Sequence, residues 1–221
     1  RAEKSYFCPR QTDQFCGLTP PRMSAMEIVR MEDFEQAVLA ERVLAVIRQG
    51  GIVAVPTDTV YGLVCDARNE DAIRRLFALK DRPEEKAFPV FVKDIAMARW
   101  YAYVSDAKAK FLERVWPGAV TVVLHHKEKL PPVLTGGKDM IGLRISQHPL
   151  ISAVLLRADF PLAQTSANIS TMTAATSREE VEEYFKDKKE QPDLVVDGGA
   201  VPGASSTVID FTGVNLILIR A

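Results

Sequence analysis

The chain has 221 residues, 47% of them hydrophobic and 26% charged, with 28 basic against 29 acidic side chains and a formal net charge of −1. That size admits one large domain or two small ones with a sizeable core, and the balanced charge excludes a general electrostatic appetite for nucleic acid while leaving room for a local basic surface. No apolar run approaches the roughly 20 residues of a membrane-spanning helix, and Cys8, Cys16 and Cys65 have no zinc-ligand spacing, so reduced thiols in a cytoplasmic protein are expected.

Residues 1–25, with three prolines and no hydrophobic period, read as an irregular N-terminal segment, and a Cys8–Cys16 disulfide there would make no evident framework. The folded part is expected over 26–221. A helix is predicted for 32–49, where Phe34, Ala37, Val38, Val43, Leu44 and Ile47 fall near one face, stopped by Gly50-Gly51. "IVAV" is a short buried strand ended by Pro56. The next helix, 69–80, has Asn69 as N-cap with Glu70 and Asp71 in its first turn. "FPVFV" reads as a strand, and 95–115 as two short helices with Ser105 capping the second. "AVTVVLHH" and "MIGLRI" are strands, "PLISAVLLRA" a buried helix and "PLAQTS" a strand. Ser177-Arg178-Glu179-Glu180 has capping-box spacing and opens a helix to about 188. "DLVVD", "STVIDF" and "NLILIR" close the chain as strands. Several strands follow one another without a helix between, which argues a single α/β domain with a mixed sheet.

Five stretches carry polar chemistry. In "VAVPTDTVYGL", Thr57 and Thr59 lie two apart and face one side of an extended segment; they grip a small polar ligand, or they are turn chemistry around Pro56 and Asp58. In "LKDRPEEKAFPVFV", Lys80, Arg82 and Lys86 crowd one helix exit. They complement the helix dipole or hold anionic oxygens, with Glu84 and Glu85 diluting the field. Arg144 stands among Ile141, Leu143 and Ile145, where a charge needs a partner, an exit to solvent or a cavity rim. His148 reads as a helix-start residue, and His125-His126 lack the company of other ligating residues. "QTSANIS" places Ser166 and Asn168 at a strand end, as a turn or as a hydroxyl and amide for a nucleotide. "DGGAVPGASSTVID" is a Gly-rich loop entering a strand, of the kind that brings N–H groups near anions. Neither G-x-x-x-x-G-K-[ST] nor G-x-G-x-x-G is present, and "TGGKD" around Lys138 lacks the flanking residues of the former.

Taken together and in order, "GGIVAVPTDTVYGL", "LKDRPEEKAFPVFV", "WPGAVTVVL", "IGLRISQHP", "TSANIS" and "VVDGGAVPGASSTVID" resemble the YrdC family, the threonylcarbamoyl-AMP synthases of tRNA modification, over about residues 30–220. The resemblance implies a single α/β domain with a twisted mixed sheet, flanking helices and a large concave groove. It implies that L-threonine, bicarbonate or CO2 and ATP give threonylcarbamoyl-AMP and pyrophosphate, with Mg2+ arriving on the ATP and no metal held by protein groups alone. A downstream tRNA threonylcarbamoyl transferase is the implied partner, with tRNA or double-stranded RNA binding in the basic groove.

By the same resemblance Lys80, Arg82 and Lys86 face the triphosphate, with Lys80 and Arg82 the catalytic pair. Thr59 and Arg144 hold threonine, Ser206 sits at its carbamoyl end, and Ser166, Asn168 and Arg220 line the nucleotide side. The sequence departs from the family at three points: Asp81 where Gly is usual between Lys and Arg, Ser146 where Pro is common, and Thr171 where Gly usually follows Asn-x-Ser. Two other readings fit less of the chain: a noncatalytic RNA-binding module, and the carbamoyl-phosphate-using domain of a hydrogenase maturation protein.

Overall fold

A computed structural model describes residues 26–221; the expected irregular segment 1–25, with Cys8 and Cys16, lies outside the described residues. In chain order the elements are β1 (Glu27–Arg30), α1 (Gln36–Arg48), β2 (Val53–Val55), β3 (Gly62–Asp66), α2 (Glu70–Leu79), β4 (Val90–Phe91), α3 (Ile95–Tyr101) and α4 (Asp106–Val115). They continue with β5 (Val120–His125), α5 (Pro132–Thr135), β6 (Met140–Arg144), α6 (Pro149–Arg157), β7 (Leu162–Ser166), α7 (Arg178–Phe185), β8 (Leu194–Asp197), β9 (Thr207–Asp210) and β10 (Ile217–Arg220).

Helix starts follow local chemistry. The orphan N–H groups of a first turn need acceptors, and Asn69, Asp94, Ser105 and Ser177 supply them to Ala72, Met97, Lys108 and Glu180. The capping box at Ser177 is displaced by one residue on its return leg: the Glu180 carboxylate accepts from the Thr176 N–H at 2.6 Å rather than from Ser177.

All ten strands join one mixed sheet in the order β1-β8-β2-β3-β7-β4-β6-β5-β9-β10. The pairs β1–β8, β8–β2, β4–β6 and β5–β9 are parallel and the other five antiparallel. Period-two alternation sends neighbouring residues to opposite faces. Ala54, Leu63, Cys65, Val122, Leu124, Ile141, Leu143 and Val195 pack on one face with residues of α2, α4, α5 and α7. Val53, Val55, Val64, Leu194 and Val196 pack on the other with α1 and α6. Strands buried on both sides read as continuous apolar runs, as "IVAV" and "LVV" do.

The helices α1 and α6 pack over the β8-β2-β3 part of their face. Farther along the same sheet, the residues alternating with the first core are Thr121 and Val123 on β5, Gly142 and Arg144 on β6, Gln164 on β7 and Val208 on β9; these line a cavity. The site is therefore the portion of one sheet face that two helices leave uncovered.

Three elements were not anticipated from the sequence. β1 abuts the irregular segment, β3 ("GLVCD") lies beyond the polar turn, and α5 is a single turn between prolines. The helix expected at 32–49 starts later, because Met31–Asp33 form a separate 3-10 turn and Phe34 and Glu35 are extended. "FPVFV" shrinks to Val90–Phe91 as ladder-paired strand. Pro89 has no N–H to donate, and the Phe88 N–H goes to the Leu134 carbonyl at 3.0 Å.

Candidate active site

The cavity measures about 420 Å³, within the roughly 300–1,000 Å³ usual for small-molecule sites. It gathers Thr59, Arg82, Arg144, Ser166, Ser206 and Arg220 with Phe88, Thr121, Lys138 and Gln164. Six residues singled out in the sequence, from six separate stretches, thus share one hollow. Lys80, Lys86 and Asn168 are not among its lining residues.

Arg144 anchors one wall. It is 2% exposed, at the end of β6. Its Nε donates to the Gly118 carbonyl at 3.0 Å and its Nη1 to Thr59 Oγ1 at 3.2 Å. Nη2 lies 2.8 Å from Asp58 Oδ1. The contact is a buried, charge-assisted pair, and it holds the guanidinium in place at the cavity wall.

Burial pushes the Asp58 carboxyl up, but the Ser146 hydroxyl, donating at 2.5 Å, and the Arg144 charge outweigh it and hold the pKa below the ordinary 3.8. Ser146 Oγ also accepts from the His148 N–H at 3.1 Å. The serine standing where the family commonly has proline thus ties Asp58 to the start of α6. The nearby Thr57 and Thr59 hydroxyls are 2.9 Å apart because the chain turns here. Thr57 Oγ1 accepts from the Thr59 N–H at 3.1 Å and donates to the Val60 carbonyl at 2.6 Å, which is turn chemistry around Asp58 rather than one face of an extended segment.

On the opposite side the C-terminus of α2 delivers the basic stretch. The Lys80 side chain is 1% exposed, and its ammonium donates to the Ser166 carbonyl at 2.6 Å and to the Asn168 carbonyl and Oδ1 at 2.8 Å. Burial, then the neighbouring Arg82 charge, pulls its pKa down to about 7. Ser166 Oγ donates to Asn168 Oδ1 at 2.7 Å, and Asn168 Nδ2 to the Met172 carbonyl at 2.5 Å. The expected phosphate-facing lysine is therefore engaged beneath the cavity, where it fixes the loop that presents Ser166.

Arg82 does line the cavity. Its guanidinium lies over the Phe88 ring, 5.2 Å from the centroid, and donates to the Lys86 and Ala87 carbonyls at 3.0 and 3.2 Å. Burial lowers its pKa. Asp81, between Lys80 and Arg82, has φ +48°, the left-handed region that glycine adopts without strain. That is the physical reason a glycine suits this position. The Asp81 carboxylate turns away to Lys188 at 2.7 Å and does not oppose the Arg82 charge.

The third wall is the end of the Gly-rich loop. Ser206 Oγ lies 3.1 Å from Thr121 Oγ1. Arg220 donates to the Ser206 carbonyl through Nε at 3.1 Å and Nη2 at 2.7 Å, and Nη2 is also 3.2 Å from Ser206 Oγ. The loop is tied down by the Gly203 N–H to the Thr59 carbonyl at 2.8 Å, and by the Tyr61 hydroxyl, which donates to the Gly199 carbonyl at 2.8 Å. No carboxylate lines the cavity, and among the described residues no three His, Cys, Asp or Glu side chains gather where they could hold a metal.

Asp58, Ser146, Thr121, Gln164 and Lys138 were not picked out as site residues from the sequence. A buried arginine demands a carboxylate, which is a signal, but it does not say which one. Asp58 and Ser146 are far apart in the chain and meet only because β6 ends beside the turn after β2.

A mixed-sheet α/β domain with an uncovered sheet face, whose cavity is lined by four cations and several hydroxyls, has the lining of a small-molecule site. The family described as telomere recombination, Sua5/YciO/YrdC, matches residues 45–221. The threonylcarbamoyl-AMP synthase of Pyrococcus abyssi is 37% identical over 176 residues, covering 79% of this chain and 51% of the relative. That of Pseudomonas aeruginosa is 40% identical over 161 residues, covering 72% of this chain and 83% of the relative. The chain thus spans about half the length of the first relative and most of the second. The structure of P. abyssi Sua5 complexed with L-threonine superposes with a TM-score of 0.80 at 32% identity, covering 89% of this chain and 57% of that one. The chain belongs to the Sua5/YciO/YrdC family.

Proposed function

We propose that this protein is an L-threonylcarbamoyladenylate synthase, a nucleotidyltransferase that makes threonylcarbamoyl-AMP and pyrophosphate from L-threonine, bicarbonate or CO2 and ATP. The observation that carries the reading is the buried Arg144 at the cavity wall, held in place by Asp58 and Gly118, with the Thr59 hydroxyl beside it. An amino acid's carboxylate fits this pair, since a guanidinium recognises paired oxygens. Further support comes from the relatives, called threonylcarbamoyl-AMP synthases, and from the threonine complex of the superposable Sua5.

The chemistry asks for alignment more than for a protein nucleophile. The threonine amine adds to the carbon of CO2, forming an N–C bond and losing a proton to give the carbamate. A carbamate oxygen then attacks the α-phosphorus of ATP; the new O–P bond forms as the bond to pyrophosphate breaks. Arg144 and Thr59 hold the threonine carboxylate, with Asp58 and Ser146 fixing Arg144. Ser206, held between Thr121 and Arg220, sits at the carbamoyl end. Arg82 neutralises phosphate charge, supported by Phe88, and Lys86 adds charge from outside the lining. Ser166 and Arg220 line the nucleotide, while Lys80 and Asn168 hold the Ser166 loop in shape. Preorganised donors of this kind cost no reorganisation as charge develops. When bound on the ATP, Mg2+ supplies further neutralisation of the pyrophosphate oxygens.

The product's use beside a tRNA anticodon makes a tRNA threonylcarbamoyl transferase the downstream partner and the cytoplasm the location, with any tRNA contact secondary to catalysis. The test is formation of an AMP adduct and of pyrophosphate with each substrate omitted in turn. Pyrophosphate release that requires threonine, bicarbonate and ATP together is expected; release indifferent to threonine would refute the assignment.

A further inference from the structure

Four cations line the cavity: Arg82, Lys138, Arg144 and Arg220. Three of them are already committed. The Arg82 guanidinium serves two backbone carbonyls, Arg144 serves Gly118, Thr59 and Asp58, and Arg220 serves the Ser206 carbonyl. Lys138 alone among them carries a charged group with no hydrogen-bond or ion-pair partner among the described residues.

Its backbone is nevertheless fixed. The Lys138 N–H donates to the Thr135 carbonyl at 3.2 Å. His126 Nδ1 accepts from the Glu128 N–H at 2.9 Å, so the proton on Nε2 is donated to the Lys138 carbonyl at 2.8 Å. Gly136 and Gly137, with φ of +61° and +71°, reverse the chain just before it. A Cβ at Gly136 would stand 2.6 Å from the Glu85 carbonyl oxygen, so this turn is packed against the loop that carries Arg82. The acids nearby are turned elsewhere: Asp139 faces His125 at 3.1 Å and Glu84 pairs with Arg74 at 3.0 Å. Lys138 is exposed at the cavity mouth, a free ammonium on a flexible stem at the Arg82 end.

We propose that Lys138 binds the β- and γ-phosphates of ATP and, after reaction, the pyrophosphate leaving group. The assignment rests on the synthase reading for its ligand. A triphosphate carries more charge than Arg82 neutralises, and a compact ammonium with three rotatable donors follows a departing phosphate better than a clamped guanidinium.

The test is direct binding of a non-hydrolysable ATP analogue, inorganic pyrophosphate and AMP to the wild type, Lys138→Ala and Lys138→Arg. Lys138→Ala is expected to weaken the ATP analogue and pyrophosphate by about tenfold. It should leave AMP within about twofold, and Lys138→Arg should restore part of the loss, because a guanidinium keeps the charge but not the compact, rotatable donors. Equal weakening of AMP and the ATP analogue, or no weakening of either, would overturn the assignment. Threonine-dependent pyrophosphate release by the wild type is measured alongside. Its absence, with Lys138-dependent ATP binding intact, would sink the synthase reading and leave Lys138 standing; its presence with no Lys138 effect would do the reverse. A wild type that binds no adenine nucleotide overturns both.

Discussion

Replacing Asp58 by asparagine is expected to cost about 3 kcal/mol of stability, the low end of the roughly 3–5 kcal/mol for breaking a buried ion pair. Both side chains are nearly inaccessible, at 3% for Arg144 and 5% for Asp58, so solvent screens little of the interaction. Asparagine retains an oxygen for the Ser146 hydroxyl, which places the cost at the low end. What it removes is the carboxylate charge 2.8 Å from the buried Arg144 guanidinium. For a domain of this size, about 3 kcal/mol corresponds to roughly 6–12 °C in Tm. Urea unfolding at several pH values is the assay. Because the folded Asp58 pKa is held below 3.8, its stabilising contribution is complete above that value and drains away as the pH falls through the folded pKa. The gap between wild type and Asp58→Asn should therefore be wide at neutral pH and narrow in strong acid. A mutant within about 1 kcal/mol of wild type at pH 7, on the scale of an exposed pair, would refute the claim that Asp58 compensates a buried charge. The exposed Arg74–Glu70 pair, half accessible on both sides, is the control, and Glu70→Gln should leave Tm essentially unmoved.

Arg82→Ala should lower threonine-dependent pyrophosphate release more than tenfold, since a charge-assisted contact contributes about 1.5–3 kcal/mol; unchanged turnover in a folded mutant would remove Arg82 from the site. Lys80→Met should lower stability by stranding the Ser166 and Asn168 oxygens. Its pH profile should also differ. With the folded Lys80 pKa at about 7, the unfolded state binds more protons above that pH. The wild type therefore gains stability from about pH 7 towards the ordinary lysine value of 10.5, and the methionine variant should lack that rise in urea titrations. Asp81→Gly should raise Tm slightly. Relief of the left-handed backbone is worth about 1 kcal/mol and exceeds the loss of the exposed Lys188 pair, at most about 1 kcal/mol and commonly less. A fall in Tm would mean that the ion pair dominates.

The synthase reading and the fold-level finding draw on different kinds of information. Helix starts at Asn69, Ser105 and Ser177 were legible because a capping side chain and its N–H partner lie three residues apart. The strands at "IVAV" and "MIGLR" were likewise legible from local apolar runs that no distant contact is needed to reveal. The Thr57 and Thr59 hydroxyls meet through the turn around Asp58, the other of the two readings their spacing left open. Against this, β3 was missed because it follows the polar turn after β2 directly, and only its pairing with β2 and β7 shows that the chain is extended there. "FPVFV" was overextended because pairing depends on which neighbour has a free N–H.

By itself, then, the sequence determined the element types, the mixed α/β class and the family, all of which rest on local chemistry or on collinear motifs. Only tertiary structure decided which charges are free. Lys80 and Lys138 are the same side chain. The first is buried against three oxygens beneath the site, and the second stands at the mouth with no partner among the described residues. No spacing rule separates them. The acceptors that consume one ammonium come from the loop after β7, and the turn that presents the other is set by Gly136 packing on the Glu85 carbonyl. Burial and hydrogen-bond satisfaction are properties of chain segments brought together, so they exist only once the sheet has closed its neighbours around them.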